Sequence, residues 1–302
     1  GVAWSRTRPE MTRGSRISLL LMAAGPLAIY AVFVLYPLLQ SAVYSTWKWN
    51  GMSDPEFIGL DNFVRAFEDP LFHGAFWNTA IWLVVAIVVP TLLGLAIAVL
   101  LDRPLRASRL YKSMFYLPIT LSLVVVGQVW IWIYQPDWGL LNAFLEAVGL
   151  DEYTTFWLGN PDTALAAVIV AWCWQQTALA LILYLAALTT VPRDLLEAAA
   201  IDGANSWQQF RRIVVPLLRP ATTVVIALAV INTLKGFDIV YILTKGGPFH
   251  TSDNLAMFMY SETFFKMQVG YGAAIAVALF LQAAIVIVIY FRQSRAAERL
   301  YG

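Results

Sequence analysis

The stretch EAAAIDGANSWQQFRRIVVP, residues 197–216, interrupts a chain that is otherwise strongly apolar. It carries Glu197, Asp202, Arg211 and Arg212, is broken by Gly203, and lies between two membrane-length hydrophobic runs. Just before it, Pro192 presets φ for a first helical turn. Leu195, Leu196, Ala199 and Ala200 then share one face at three- and four-residue spacing. Glu197 falls near the N-terminal end, where the helix dipole favours a carboxylate. Gly203, free to take positive φ, ends this helix. Ser206, followed three residues later by Gln209, predicts a capping box for a second helix. That helix runs to about Val215, because Pro216 cannot continue the hydrogen-bond ladder. The loop 192–219 is therefore read as a helix–turn–helix. Amphipathic helices resting on lipid would also fit its apolar face, but Asp194, Glu197 and Asp202 suit anionic headgroups poorly.

The surrounding composition sets the context. Of 302 residues, 60% are hydrophobic and 13% charged, with mean hydropathy +0.67. Soluble domains carry about a quarter charged residues, so the chain reads as membrane-embedded. A net charge of +1 supplies no basic field for nucleic acid. The single Cys173 excludes an internal disulfide, and His73 and His250, the only histidines, lie too far apart in sequence to suggest a metal site. The run from Ile17 to Val43 is too long for a signal-peptide core, and Gly1 in place of Met leaves the native start open.

A hydrocarbon core of ~30 Å needs roughly 20 helical residues. Six segments qualify: Ile17–Tyr44, Trp77–Leu101, Ser113–Tyr134, Thr163–Val191, Ala221–Leu243 and Tyr271–Phe291. Pro26, Pro37, Pro90 and Pro118 lie in or near them and predict kinks. Basic residues sort by loop. Arg6, Arg8, Arg13 and Arg16 precede the first span, Arg103, Arg106, Arg109 and Lys112 follow the second, Arg193, Arg211, Arg212 and Arg219 follow the fourth, and Arg292, Arg295 and Arg299 follow the sixth. The other loops hold only Lys48, Arg65, Lys245 and Lys266. Positive-inside counting puts both termini in the cytoplasm. The organisation expected is a cytoplasmic segment 1–16, a six-span domain 17–291, and a cytoplasmic tail 292–302. On the outer side a short surface helix is expected around Asp61–Phe67. Trp47, Trp49, Trp77, Trp82, Trp130, Trp132, Trp138 and Trp157 cluster near span ends and read mostly as interfacial anchors.

Motifs for chemistry are missing from the sequence. It contains no G-x-x-x-x-G-K-[ST] loop, H-E-x-x-H helix or G-x-S-x-G elbow. No acidic ring or filter-like loop supports a channel.

With these residues in view, the loop resembles the EAA signature of binding-protein-dependent ABC importer permeases. The match is Glu197-Ala198-Ala199, Gly203, then Ile213-Val214-Val215-Pro216, with Val215 where the family usually has Leu. IDGANSWQQFRRIVVPLLRP followed by FDIVYILTKGGP resembles the carbohydrate branch. FVLYPLLQSAVYSTWKW and FIGLDNF are similar to its first-span exit and outer loop, so the likeness covers nearly the whole chain. The resemblance implies an all-α polytopic membrane protein: six transmembrane helices with a cytoplasmic coupling helix-turn-helix, the type I importer permease. It implies that Glu197, Ala198, Ala199, Asp202, Gly203, Ile213 and Pro216 form the element that inserts into a cleft on a cytoplasmic ATPase subunit. The partners implied are a second permease subunit in a heterodimer, two ATP-binding cassette ATPase subunits, an extracellular solute-binding protein, a sugar and the lipid bilayer. ATP and Mg would belong to the ATPase subunits, leaving this chain a non-catalytic permease without a cofactor of its own, in a bacterial or archaeal cell membrane.

Polar residues within spans are costly unless paired or lining a cavity. AWCWQQTAL in the fourth span holds Trp172, Trp174, Gln175, Gln176 and Thr177, and INTLKGFDIVY in the fifth holds Asn232, Thr233, Lys235, Asp238 and Tyr241. Amides and hydroxyls with aromatic faces suit a sugar. The matching segments of the family's maltose transporter line its sugar site, which implies a pathway of Trp172, Gln175, Gln176, Asn232, Thr233, Gly236 and Phe237. Equally, buried amides hold helices together. Lys235 and Asp238, each costing roughly 2.5–3.5 kcal/mol alone at mid-membrane on insertion scales, can neutralise one another. Asp238 also falls in F-D-x-x-Y-x-L-T-x-G-G-P, which resembles a family-wide pattern and implies a structural role. An ion-coupled secondary transporter would carry inverted repeats, and none is evident. Glycerol phosphate, a polyamine or a peptide are alternative cargoes. A phosphorylated one would need several buried Arg residues, whereas the spans offer Lys235 alone as a clear cation.

Overall fold

The computed structural model describes residues 22, 24–102 and 108–299. The basic residues Arg6, Arg8, Arg13, Arg16, Arg103 and Arg106, and the terminal segments before residue 22 and after residue 299, lie outside them. Among the described residues the regular structure is helical apart from a two-strand hairpin, β1 (Trp47–Lys48) against β2 (Glu56–Phe57). Its helices in order are α1 (Ala24–Tyr44), α2 (Asp61–Glu68), α3 (Pro70–Leu101), α4 (Ser108–Thr120), α5 (Leu123–Ile133), α6 (Leu140–Ala147) and α7 (Ala164–Leu188). There follow α8 (Arg193–Ile201), α9 (Ser206–Leu217), α10 (Arg219–Leu234), α11 (Phe237–Leu243), α12 (Leu255–Tyr260) and α13 (Val269–Arg299). The surface helix expected at Asp61 is α2.

Four of these helices are individually long and apolar enough to cross a membrane, or up to six if each of two bent pairs counts as one span. They are not equally placed. In its most apolar window α7 is 67% buried, against 28% for α3, 22% for α13 and none for α1. An apolar helix without a polar face is the kind that a larger core surrounds, and α7 occupies that position. It packs along α3 at Gly94, where a Cβ would stand 2.6 Å from that of Ala180, so only glycine lets the two backbones approach this closely. Trp82, expected at the interface, is fully buried instead and meets Trp172 edge to face at 5.8 Å between ring centroids. Trp77, Trp132 and Trp138 are exposed.

Two of the expected spans are not continuous. The third splits into α4 and α5, bent by 106°. Pro118 removes a ladder donor near the end of α4, and Ser122, with extended backbone, caps α5 by accepting from the Val125 N–H. The Leu121 carbonyl freed at the kink accepts a hydrogen bond from Gln175 Nε2 at 2.7 Å. The fifth splits at Lys235–Gly236 into α10 and α11. There the Gly236 carbonyl accepts from Asn254 Nδ2 at 3.1 Å.

The loop 244–254 is clamped to α3. Asn78 Nδ2 donates to the carbonyls of Thr251 and Asp253 at 2.9 and 2.8 Å, and the Leu255 N–H donates to Thr79 Oγ1 at 2.9 Å. Asp253 is buried with its carboxylate 2.6 Å from His250 Nδ1. Burial raises this carboxyl from 3.8 to about 6, against the hydrogen bond and charge of His250 and the charge of Lys266, with Glu262 adding to the rise.

Replacing Gln175 with Leu should leave the Leu121 carbonyl without its donor and cost about 1–3 kcal/mol. A lower midpoint in thermal unfolding of the detergent-solubilised protein measures it, and an unchanged midpoint would remove Gln175 as the brace of the kink. For the loop 244–254, a raised carboxyl means the packed form favours the protonated acid. That contribution is complete below about pH 4 and is lost as pH rises through about 6. Amide protection in 244–254, corrected for intrinsic exchange, should therefore fall between pH 5 and pH 7.5. Asp253→Asn, which fixes the neutral form, should flatten the change; the same fall in the variant would point to another group.

Candidate functional site

The charged interruption forms a projection of two short helices. In α8 the backbone starts helically after Pro192, and its C-terminus closes as a Schellman motif. The Ala204 N–H donates to the Ala199 carbonyl at 2.9 Å and the Gly203 N–H to that of Ala200 at 3.1 Å. Gly203 has φ +85°, a value that only glycine adopts without strain. The cap of the next helix is one residue earlier than the sequence suggested. Asn205 Oδ1 accepts from the Gln208 N–H while Gln208 Oε1 accepts from the Asn205 N–H, both at 2.9 Å. Asn205 wins over Ser206 because its longer side chain spans the gap from an extended backbone, and Gln208 then stands at the reciprocal position.

Nor does the helix stop before Pro216. Residues Phe210–Val214 form a π turn, with the Val215 N–H bonded to the Phe210 carbonyl. Widening the turn gives the proline ring room that a regular i−4 carbonyl would deny it. The helix continues to Leu217 and then bends by 64° into α10.

This construction roots the projection firmly. Val214 and Leu218 are buried against Tyr184 and Leu185 of α7 and Ala98 and Leu101 of α3, while Tyr184 Oη donates to Thr222 Oγ1 at 3.0 Å. Away from that root, Glu197, Ala198, Asp202 and Gly203 are exposed, and Ala199, Ile213 and Pro216 are half-buried. Two apolar residues that the sequence reading passed over stand out at the tip: Ile201 is 87% and Trp207 66% exposed. Their signal was their type, since a Trp and an Ile among charges in a loop have no burial inside the chain to explain them.

The polar residues of the spans fall into two groups. Trp172 and Thr233 are buried in the chain's own interior, and Thr233 Oγ1 donates back to the Ala229 carbonyl at 2.7 Å. Gln175 is committed to Leu121. Gln176 is buried too, and its Oε1 accepts from Asn232 Nδ2 at 3.0 Å, joining α7 to α10. Gly236 lies against Trp82, where a Cβ would be 3.2 Å from the indole. Only Asn232 and Phe237 of the expected pathway keep part of their surface free. Lys235 and Asp238 are both exposed, and no ion pair joins them among the described residues. The expected mutual neutralisation is therefore absent.

Comparison with known proteins agrees with this architecture. The chain is 34% identical over 273 residues to a probable ABC transporter permease of Pyrococcus horikoshii, covering 90% of this chain and 94% of that protein. It is 34% identical over 293 residues to a lactose transport system permease of Rhizobium radiobacter, covering 96% and 98% of the two. Among solved structures, a bacterial ABC transporter involved in import of the acidic polysaccharide alginate matches with TM-score 0.80 at 22% identity, over 93% of this chain and 96% of the other. That likeness establishes the type I permease fold. Residues 90–299 match the model of the binding-protein-dependent transport system inner membrane component, and the chain belongs to that family.

Proposed function

We propose that this chain is one half of the membrane pathway of an ATP-driven sugar importer. It works with a second permease subunit in a heterodimer, two ATP-binding cassette ATPase subunits that carry ATP and Mg, and an extracellular solute-binding protein. The observation that carries the reading is the rooted projection of α8 and α9. Its Glu197, Ala198 and Gly203 lie outward, and its base is locked into the core around α7. Two short helices joined through a Schellman turn and a capping box make a stiff lever, and a stiff lever transmits rotation that a flexible loop would absorb. Glu197 offers a basic partner a charge, and Ile201 with Trp207 offers an apolar pocket two anchors. Nothing in this chain supplies hydrolysis, so transport rests on the partner ATPases holding the lever differently in two conformations.

Relatives named for lactose, starch degradation products and multiple sugars support a carbohydrate cargo. Asn232 and Phe237 at the broken span are the residues of the expected pathway best placed to meet it. Gln176 positions Asn232, while Trp172, Gln175 and Thr233 support the wall behind. Both termini are assigned to the cytoplasm by the loop charges.

Gly203→Pro cannot take the positive φ of the turn, and Glu197→Lys reverses the offered charge. Both variants should insert in the membrane yet lose ATP-dependent uptake into reconstituted vesicles by at least about tenfold, with reduced ATPase co-purification. Truncating a buried aromatic anchor typically costs about 2 kcal/mol or more at an interface, so Trp207→Ala should weaken ATPase retention about thirtyfold in a pull-down titration. Wild-type uptake by the Gly203 and Glu197 variants together would sink the coupling role.

A further inference from the structure

Backbone strain gathers at one place in this chain. Among the described residues, four non-glycine positions have φ in the left-handed region. Three of them, Lys245, Phe249 and His250, lie in the loop 244–254, at +51°, +52° and +65°. Such backbone is costly for a bulky side chain and persists only where the surroundings hold it. Here they do. Besides the clamp of Asn78 on the Thr251 and Asp253 carbonyls, Thr251 Oγ1 donates to the Pro248 carbonyl at 2.7 Å and Ser252 Oγ to the Gly247 carbonyl at 2.6 Å. The His250 ring is tied to the buried Asp253. This bracing holds Phe249 out with 86% of its surface exposed, where the ring gains little burial to repay the strain.

We infer that Phe249 is an anchor for the extracellular solute-binding protein, seating its ring in an apolar recess rimmed by carboxylates. The inference rests on the importer reading above, which puts this loop, between the fifth and sixth spans, on the side where cargo is delivered. Aromatic rings are enriched at the buried centre of interfaces, and a loop already fixed in one shape loses little freedom on docking. Charge names the rim: Lys245 is exposed, while the loop's one carboxylate, Asp253, is buried against His250. Position fits delivery as well. The loop follows directly from α11 and is pinned to α3 at Asn78, so a protein seated on Phe249 stands over the end of the broken fifth span. A bilayer anchor would call for neither the strain nor the bracing. Trp or Tyr serves at the headgroup level on relaxed backbone, and a lipid surface imposes no single direction on the ring.

The test uses the assembled transporter in proteoliposomes, with its own solute-binding protein as the probe. That protein is titrated against ATPase activity. Its half-maximal concentration should rise about thirtyfold or more in Phe249→Gly and Phe249→Asn, the loss typical of a removed aromatic anchor. Glycine and asparagine accept left-handed backbone, so both variants should assemble and unfold at or above the wild-type midpoint. A merely structural Phe249 would instead lower the midpoint and leave the titration unshifted. Lys245→Gln should flatten the salt dependence of the titration, and an unchanged dependence overturns the charged rim. Should the glycine and asparagine variants not assemble, p-benzoylphenylalanine in place of Phe249 decides. Illumination of membranes should then give an adduct that mass spectrometry identifies as the solute-binding protein. An adduct with lipid, an adduct with another subunit, or none at all overturns the inference. Assembled variants with an unshifted titration overturn it too and leave the importer reading standing. A wild type that the binding protein does not stimulate removes the importer reading, and the inference with it.

Discussion

A helix that breaks inside a bilayer frees carbonyls and N–H groups in a place where water cannot satisfy them, and the rest of this structure depends on how that is resolved. Each unsatisfied group there costs several kcal/mol. The chain breaks two spans and supplies each break with a specific side-chain donor: Gln175 for the Leu121 carbonyl and Asn254 for the Gly236 carbonyl. The N-terminal part of α3 adds Asn78 and Thr79, which hold the loop and the start of α12. Gln175, which looks out of place in an apolar span, is therefore there to brace a bent helix.

These braces converge on α7. Its middle carries Gln175 and Gln176, which fix the α4–α5 kink and the α10 helix, and its C-terminal half carries Tyr184 and Leu185, which seat the base of the projecting loop. One rigid, mostly buried helix thus touches both the root of the lever and the two broken spans. Movement applied at α8 and α9 has a packed route to the break at Gly236 without passing through a flexible segment. Close packing at Gly94 against Ala180 makes α3 follow α7 as a unit, since interiors packed at this density move as blocks and not by continuous deformation.

Much of this was legible in the sequence because it rests on local rules. Hydrophobic length gave the spans, Gly203 gave the turn, and the charge interruption gave the projecting pair of short helices. What was not legible depended on tertiary partners. Continuous hydrophobicity hides a break, so the interruptions at Leu121 and Gly236 left no trace in span length; Pro118 hinted at the first, and only the fold shows that Gln175 completes it. Ser206 and Asn205 both satisfy the compositional rule for a cap, and geometry chose Asn205 with Gln208. Pro216 read as a stop because a regular helix was assumed, whereas a π turn absorbs it. For the candidate pathway, residue type marked the right neighbourhood but not the facing. Trp172 and Thr233 have sugar-binding chemistry yet point into the core, and the sequence gives no phase for a helix whose two faces are both apolar.

The distribution of burial completes the reasoning. Within this chain α1 buries none of its span window, the charges at Lys235 and Asp238 lack an ion-pair partner among the described residues, and Ile201 and Trp207 stand free at the tip of the loop. In a self-sufficient transporter these would be three separate defects: a helix whose span window is unburied, unpaired charges within a span, and apolar side chains in water. They share one resolution if the chain is a component whose remaining surfaces are completed by others. Lipid and a second permease suit α1, a polar pathway between the halves suits the break in the fifth span, and an ATPase cleft suits the loop. The three surfaces face different media, and each carries the chemistry its own medium requires. On the proposed function, one short apolar chain joins an energy source on one side of a membrane to a cargo that arrives from the other.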